Sequence, residues 1–233
     1  MAFLITVFSF LSDDYFLNKK IEIYRKAVGI YHAGQSFLDA GNAIEVDRRY
    51  VSYVIEKYME LRKSTKGKDY KKIVEYINKK LETNRTLPPE IDKGYLANKI
   101  LEAVLDATTG KVAKIFRIKD LEPELVIAII ERESSFNPFA FNPNGTYQIV
   151  KDNKKIVDRF PAYGLMQIWQ PTFSWINDKY FNSQRKVEEL FDIRTNIIFG
   201  SMLLQHIYNK IFLAHLAGIE PATSGSGVQR SIP

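Results

Sequence analysis

The sequence predicts a mainly α fold of the α+β kind, with helices throughout and one small β-hairpin. In the first half, apolar side chains recur every three or four residues, at Tyr50, Val54, Tyr58 and Leu61, which is the spacing of one helix face. Residues 125–130 are apolar on every side, so their helix is expected to be central and buried. Strand-forming residues flank Asp152-Asn153, and this pattern indicates a hairpin.

Residues 1–112 are predicted to form a helical scaffold or accessory region. A second amphipathic face consists of Ile73, Tyr76, Ile77 and Leu81. Glycine or proline marks breaks at Lys66-Gly67-Lys68, Leu87-Pro88-Pro89 and Thr108-Thr109-Gly110. The segment has no internal repeat and no residue pattern with a recognisable chemistry, so we expect it to support the second half.

Composition limits the partners and cofactors. The net charge of +6 favours an anionic partner, such as nucleic acid, anionic lipid or an acidic wall polymer. No nucleic-acid motif accompanies the lysines, so nucleic acid is not expected. Cysteine is absent, and the three histidines, His32, His206 and His215, lie far apart in the sequence. We therefore expect no metal and no cofactor.

The N-terminus begins with an apolar run at residues 2–11, closed by Ser12-Asp13-Asp14. The run is too short to span a bilayer. It lacks a basic leading region, and Val7-Phe8-Ser9 is a poor cleavage site. Two interpretations remain open, a degenerate export signal and a first helix that packs on the core.

The second half has clear helix signals. Pro123 is placed to open the buried helix, and Asn137-Pro138 is expected to end it. Pro171 is expected to open a further helix, and Asp192 to cap a longer one. Gly200 inside that last helix costs about 1 kcal/mol relative to alanine, which indicates that another backbone packs closely there.

Glu133 is the candidate catalytic acid. It shares a helix face with Ile129, Ile130 and Val126, and burial disfavours the charged form of a carboxyl group. Such a group can give a proton to a glycosidic oxygen and take one back. The alternative is that Glu133 reaches solvent or pairs with Arg132 or Lys154. Glu131 points about 160° away on the helix, so the two do not form a catalytic pair.

Polar and apolar residues near Glu133 suit a sugar site. Gly164 would let backbone approach a ligand closely, and the Gln167 amide both donates and accepts. Tyr163 and Met166 suggest an apolar wall. The predicted substrate-binding residues are Ser134, Ser135, Tyr163, Gly164, Met166 and Gln167.

Three successive segments carry a family resemblance. Glu-Ser-Ser-Phe-Asn-Pro at 133–138, Gly-Leu-Met-Gln-Ile at 164–168 and Asn196-Ile197-x-x-Gly200 resemble the soluble lytic transglycosylase (Slt) domain of the lysozyme-like superfamily. The resemblance implies a lysozyme-like fold in residues 113–212, a cleft for peptidoglycan glycan strands, and a location in the cell envelope or outside the cell. By the same resemblance, Asn196 and Gly200 would support the fold.

The resemblance also implies a mechanism with Glu133 as the sole acid and base. Glu133 would protonate the oxygen between N-acetylmuramic acid and N-acetylglucosamine while the substrate's N-acetyl group assists. It would then remove a proton from the muramic C6 hydroxyl, which closes a 1,6-anhydro ring. No water, metal or second carboxylate takes part.

Two departures from the family pattern stand out. Residues 145–159, with the basic Lys151, Lys154, Lys155 and Arg159, lengthen the stretch before Gly164 and would form an insertion at the cleft rim. The family also carries a later Ala-Tyr-Asn-Ala-Gly-like motif, whose tyrosine reaches the catalytic glutamate. Tyr208-Asn209 follows Gly200 too closely to supply it.

In place of that motif the chain has residues 213–233, which are poor in strong helix formers and resemble a translated tRNA gene. We predict a disordered, non-native tail there. Two alternatives to the transglycosylase therefore stay open: a hydrolytic muramidase in which Asp152 or Asp158 positions water, and a truncated, inactive peptidoglycan-binding protein.

Overall fold

The computed structural model describes residues 2–33, 47–65, 69–151 and 154–216, with the side chains of 2–14, 146–158 and 215 left out of the description. Six helices come first: α1 Ala2–Ala33, α2 Arg48–Ser64, α3 Lys71–Thr83, α4 Lys93–Thr108, α5 Lys111–Phe116 and α6 Pro123–Ser134. The remaining elements are β1 Phe141–Lys151, β2 Lys154–Tyr163, β3 Ile168–Trp169, α7 Gln170–Phe181, a short 3-10 helix Val187–Phe191, and α8 Ile193–Leu216. The predicted mainly helical fold with a small β element is confirmed.

Helix α6 is the central buried helix, and Pro123 occupies its first turn as predicted. It ends at Ser134, before the predicted stop at Asn137-Pro138. The reason is that Ser135 and Phe136 adopt left-handed conformations, with φ of 50° and 64°, which a continuing α-helix cannot accommodate. Phe136 is fully buried, so core packing holds this end of the helix in place.

The predicted hairpin is present and longer than expected. β1 and β2 pair antiparallel with Lys151 opposite Lys154, while Asp152-Asn153, which the sequence places between the strands, lie outside the described residues. β3 extends the sheet by pairing with the end of β2. Arg159 is exposed, while the side chains of the other three basic residues of the insertion fall outside the description.

The N-terminal helices share one hydrophobic core with the second half. The Tyr24 ring of α1 meets Tyr58 of α2 edge-on at 5.4 Å and Tyr208 of α8 at 5.9 Å. Buried residues of α1 and α2 belong to the same apolar cluster as those of α6 and α8. The core therefore runs across residue 112, where the sequence suggested a boundary, and the boundary itself stays a prediction.

Helix α8 is long and apolar enough to cross a membrane by length and composition, with a mean hydropathy of 1.2 over Ile193–Ala214. The protein itself buries 61% of that window, as expected of a core helix, and no stable membrane span follows. Asp192 caps α8 as predicted, since its Oδ1 accepts from the Thr195 amide at 2.8 Å. The helix continues to Leu216, so 213–216 are helical, and the rest of the predicted tail lies outside the described residues.

Glu122 ties the N-terminal helices to the start of α6. Its carboxylate accepts hydrogen bonds from Lys20 at 2.7 Å, Tyr58 at 2.9 Å and Arg62 at 3.1 Å. Partial burial opposes ionisation, but the hydrogen bonds and charges of Lys20, Tyr58 and Arg62 outweigh it and lower the pKa of Glu122. Ionised Glu122 therefore stabilises the folded state.

Replacing Glu122 by glutamine is expected to reduce the free energy of unfolding by about 1–3 kcal/mol at neutral pH, because three donors lose a charged acceptor. A carboxyl group whose pKa is lowered by folding stabilises the protein fully at pH values above its unfolded-state pKa. This stabilisation is lost as the pH falls through the folded-state pKa. The difference in free energy of unfolding between wild type and Glu122→Gln should thus shrink in acid. Denaturant unfolding at neutral and acidic pH measures it.

The matched control for Glu122→Gln is Glu102→Gln, since Glu102 has a 70% exposed side chain and pairs with the surface residue Lys99. Exposed ion pairs of this kind contribute little to the free energy of unfolding, so the control should unfold like the wild type. Equal stability of Glu122→Gln and wild type at neutral pH would refute the role of this cluster.

Candidate active site

The Glu133 carboxyl group lies in the last turn of α6 with 14% of its side chain exposed. Its Oε1 accepts a hydrogen bond from the Tyr50 hydroxyl of α2 and lies 3.8 Å from Nδ1 of His32 in α1. Its Oε2 makes no hydrogen bond to the residues that the structure describes. The Arg132 guanidinium stacks over the rings of Tyr50 and Tyr53 and does not pair with Glu133. One carboxyl oxygen is thus held, and the other is open for proton transfer.

Two buried tyrosines from the N-terminal helices approach this carboxylate. Tyr50 stacks on the His32 ring with 3.8 Å between ring centroids. Tyr31 donates its hydroxyl to the Met166 carbonyl oxygen at 2.7 Å. Burial and the nearby charge of Glu133 raise the pKa of both phenols well above the ordinary value. Both hydroxyls therefore stay protonated and act as donors at neutral pH.

Glu131 lies on another side of α6, as the helix geometry predicts. It is buried, accepts a hydrogen bond from Tyr76 and pairs with Lys80 at 2.7 Å, both on α3. These contacts separate it from Glu133, whose partners come from α1 and α2. Among the described residues, no group of three His, Asp or Glu side chains is arranged to hold a metal ion.

The turn at residues 164–168 is fixed by Asn196. The Asn196 Nδ2 donates to the carbonyl oxygens of Tyr163 and Leu190, and its Oδ1 accepts from the Met166 amide, each at 2.8 Å. Gly164 has φ of 71°, and a Cβ there would lie 2.3 Å from both Asn196 Nδ2 and the Leu190 oxygen. Glycine is required at position 164 because Asn196 and Leu190 of the protein pack against it. The sequence alone suggested the close approach of a ligand to this glycine.

Met166 is fully buried, which corrects its predicted position on a sugar-facing wall. A Cβ added to Gly200 would lie 2.3 Å from the Met166 sulfur. The close neighbour of Gly200 is therefore the Met166 side chain, where the sequence indicated a second backbone. The flexible thioether fills the slot that glycine leaves in α8. The backbone of Met166 still serves the site, because its carbonyl accepts from Tyr31.

Gln167 contributes half of its amide to the turn. With φ of 46°, it donates Nε2 to the carbonyl oxygens of Ala140 at 3.1 Å and Gly164 at 2.9 Å. Its amide oxygen makes no hydrogen bond within the described part of the chain. The side chain is half-buried, so this oxygen is the part of Gln167 that a ligand could use.

Ser134, Ser135 and Tyr163 are the other predicted contact residues. Ser134 bonds back to the Ile130 carbonyl at 3.1 Å, and Ser135 is exposed at the helix end. The Tyr163 ring lies 5.2 Å from Phe141, which is 52% exposed, and 5.6 Å from Phe191. These three rings extend the apolar surface expected at Tyr163, although its contact with substrate stays a prediction.

The profile of one family, the transglycosylase SLT domain, matches residues 112–217 of this chain. These residues belong to the transglycosylase SLT domain family. The fold agrees, since the SLT domain here is mainly helical with a small antiparallel sheet. No curated protein and no solved structure matches the chain. The match supports lytic transglycosylase family activity on peptidoglycan, and such activity is consistent in general with the cell envelope.

The matched segment contains Glu133, Gly164, Asn196 and Gly200, but the residues at the Glu133 carboxylate come from outside it. Tyr31, His32 and Tyr50 all precede residue 112, and sequence reasoning assigned that half no role in the site. One feature of the sequence indicates that this half contributes to the site: Tyr31-His32-Ala33-Gly34 repeats most of the motif that was expected after Gly200.

Proposed function

We propose that the SLT domain cleaves the β-1,4 bond between N-acetylmuramic acid and N-acetylglucosamine, with Glu133 as the only acid and base. The observation that carries the proposal is the Glu133 carboxyl group itself, held at Oε1 by Tyr50. Its Oε2 makes no hydrogen bond to the described residues, and the group lies inside the family-matched segment. The products would be glycan ends that carry 1,6-anhydro-N-acetylmuramic acid.

In the first step, protonated Glu133 gives its proton to the glycosidic oxygen as the bond from muramic C1 to that oxygen breaks. The leaving sugar departs with a free hydroxyl, and the N-acetyl carbonyl oxygen of the substrate stabilises the positive charge at C1. In the second step, Glu133 carboxylate takes the proton of the C6 hydroxyl while O6 bonds to C1. Glu133 ends protonated, so the cycle closes without water.

Tyr50 and His32 would orient the carboxyl group during both proton transfers. Both contact Oε1, which directs the transferable proton to Oε2. A hydroxyl donor also stabilises the carboxylate that forms after the first step. Because the phenol of Tyr50 keeps its proton at neutral pH, it donates in either protonation state of Glu133.

The aromatic surface of Tyr163, Phe141 and Phe191, in which Phe141 is the exposed ring, supports binding of a glycan strand, since aromatic rings offer apolar faces for sugar rings. Ser134 and Ser135, which follow Glu133 in the sequence, and the Gln167 amide oxygen would add polar contacts to the strand. Gly164 and Met166 act indirectly, through the shape of the turn and the carbonyl that receives Tyr31.

Digestion of purified peptidoglycan, followed by mass analysis of the released fragments, tests the proposal. Anhydromuropeptides as the main products are the expected result. Reducing muramic ends would identify a hydrolytic muramidase. Sedimentation of the protein with the wall and no released product would identify a binding protein. Either of the last two results would overturn the proposed function.

A further inference from the structure

We propose that α1 and α2 are the closing part of the SLT domain, displaced to the front of the chain, so that the domain is circularly permuted. This inference rests on the proposed function for the role of Glu133. The first observation is sequence. The expected Ala-Tyr-Asn-Ala-Gly motif is missing after Gly200, while Ile30-Tyr31-His32-Ala33-Gly34 matches it at tyrosine, alanine and glycine with the same spacing.

The second observation is the position of that motif in the fold. Tyr31 reaches the carbonyl of Met166 in the 164–168 turn, and His32 lies 3.8 Å from the Glu133 carboxylate. In the next helix, Tyr50 donates directly to Glu133. The tyrosine contact with Glu133 that the family pattern leads one to expect from a later segment is made here by Tyr50 of α2, which lies outside the motif. The motif's own Tyr31 bonds to the Met166 carbonyl oxygen beside the site.

The third observation is the direction of α1 against α8. Tyr24 meets Tyr208, whereas Tyr31, seven residues further on, bonds to Met166, which packs on Gly200. The two helices thus run antiparallel, so that beyond Tyr208 helix α8 continues in the direction of the N-terminal half of α1. Antiparallel helix neighbours are usually joined by about 2–8 residues, so a chain leaving α8 could enter α1 as a helical hairpin.

The functional unit then extends well beyond residues 112–217. Tyr31 and Tyr50 are positioning residues, which act on the reaction through the carboxyl group of Glu133 and the turn at Met166. The absence of the motif after Gly200 no longer predicts an inactive chain, because α1 and α2 supply the contacts.

A rearranged version of this chain tests the permutation. It begins with an added methionine before Lys68, runs to Pro233, continues through Met1 and ends at Gly67. Residues 217–233 reach up to ~56 Å when extended at about 3.3 Å per residue. The first fourteen residues of α1 are only ~21 Å long, so the connection is long enough.

We expect the rearranged protein to keep the circular dichroism spectrum, a melting temperature within about 5 °C of the natural chain, and the same cleavage products. If it fails to fold, a second version with about ten Gly/Ser residues between Pro233 and Met1 relieves any strain in the connection. Failure of both versions to fold would overturn the proposal, as would a folded version with a more than tenfold lower rate.

Tyr50→Phe in the natural chain tests the positioning role. We expect about a tenfold lower turnover with unchanged KM and a shifted acid limb of the pH–rate profile, because the donor to Glu133 is lost. Tyr95→Phe, at a ring that is 63% exposed on α4, should change neither. A Tyr50→Phe protein with wild-type turnover and pH profile would contradict the role.

Failure of the proposed function can be told apart from failure of the permutation. If the wild type releases no anhydromuropeptides, the function is wrong, but the folding of the rearranged protein still decides the permutation. Double-variant unfolding with Tyr50→Phe and Glu133→Gln adds a measurement that needs no activity. We expect non-additive shifts in melting temperature, and additive shifts would contradict the contact.

Discussion

Glu133→Gln is expected to slow peptidoglycan cleavage by about 10³-fold, within the usual range for loss of a general acid. Glutamine has the same shape and can still accept the Tyr50 hydroxyl through its amide oxygen. It cannot give a proton to the glycosidic oxygen or take one from the C6 hydroxyl. Both steps of the proposed mechanism therefore fail together, while the fold remains intact.

Release of soluble muropeptides over time, with circular dichroism as a check on folding, measures this loss. Glu131→Gln is the matched control on the same helix, since Glu131 pairs with Lys80 and Tyr76 away from the site. It should lower stability but keep turnover within about threefold of the wild type. Substantial activity in Glu133→Gln, or equal loss in both variants, would contradict the assignment.

Gly164→Ala should produce the largest loss of stability, about 3–5 kcal/mol in the free energy of unfolding. A left-handed conformation costs a residue with a Cβ roughly 1–2 kcal/mol. The added methyl group would also lie 2.3 Å from Asn196 Nδ2 and from the Leu190 oxygen. Asn196 must then move, and a nearly fully buried amide loses its hydrogen bonds.

Denaturant unfolding of Gly164→Ala and of Gly94→Ala isolates this effect. At Gly94, near the start of α4, a Cβ would meet one atom of the described residues, Asp92 Oδ1, at an ordinary 3.4 Å. Alanine there should leave stability unchanged or raise it by about 0.5–1 kcal/mol. A Gly164→Ala protein that loses less than about 1 kcal/mol would show that the turn is not held as described.

Local patterns in the sequence were enough to predict much of the scaffold. Pro123 at the start of α6, the antiparallel pairing of β1 with β2 and the Asp192 cap of α8 depend on neighbouring residues, so short-range rules locate them. Glu133 was predicted for the same reason, because its place on the helix follows from the apolar positions before it. The end of α6 was misplaced, since burial of Phe136 decides it.

The Tyr50 contact with Glu133 could not be derived from periodicity. Tyr50 belongs to an apolar helix face and is predicted as core, and nothing local shows that its hydroxyl meets a carboxylate more than eighty residues away. Met166 was misassigned for a related reason, because only the tertiary fold brings it against Gly200. A motif search free of chain order would have found Tyr31-His32-Ala33-Gly34.

Digestion of peptidoglycan in heavy-oxygen water tests the central claim most directly. In the proposed reaction the C6 hydroxyl of the same sugar attacks C1, so no solvent oxygen enters the product. The proposed mechanism predicts 1,6-anhydro ends without heavy oxygen, and no such ends from Glu133→Gln. Heavy oxygen at C1 of newly formed reducing muramic ends would contradict it.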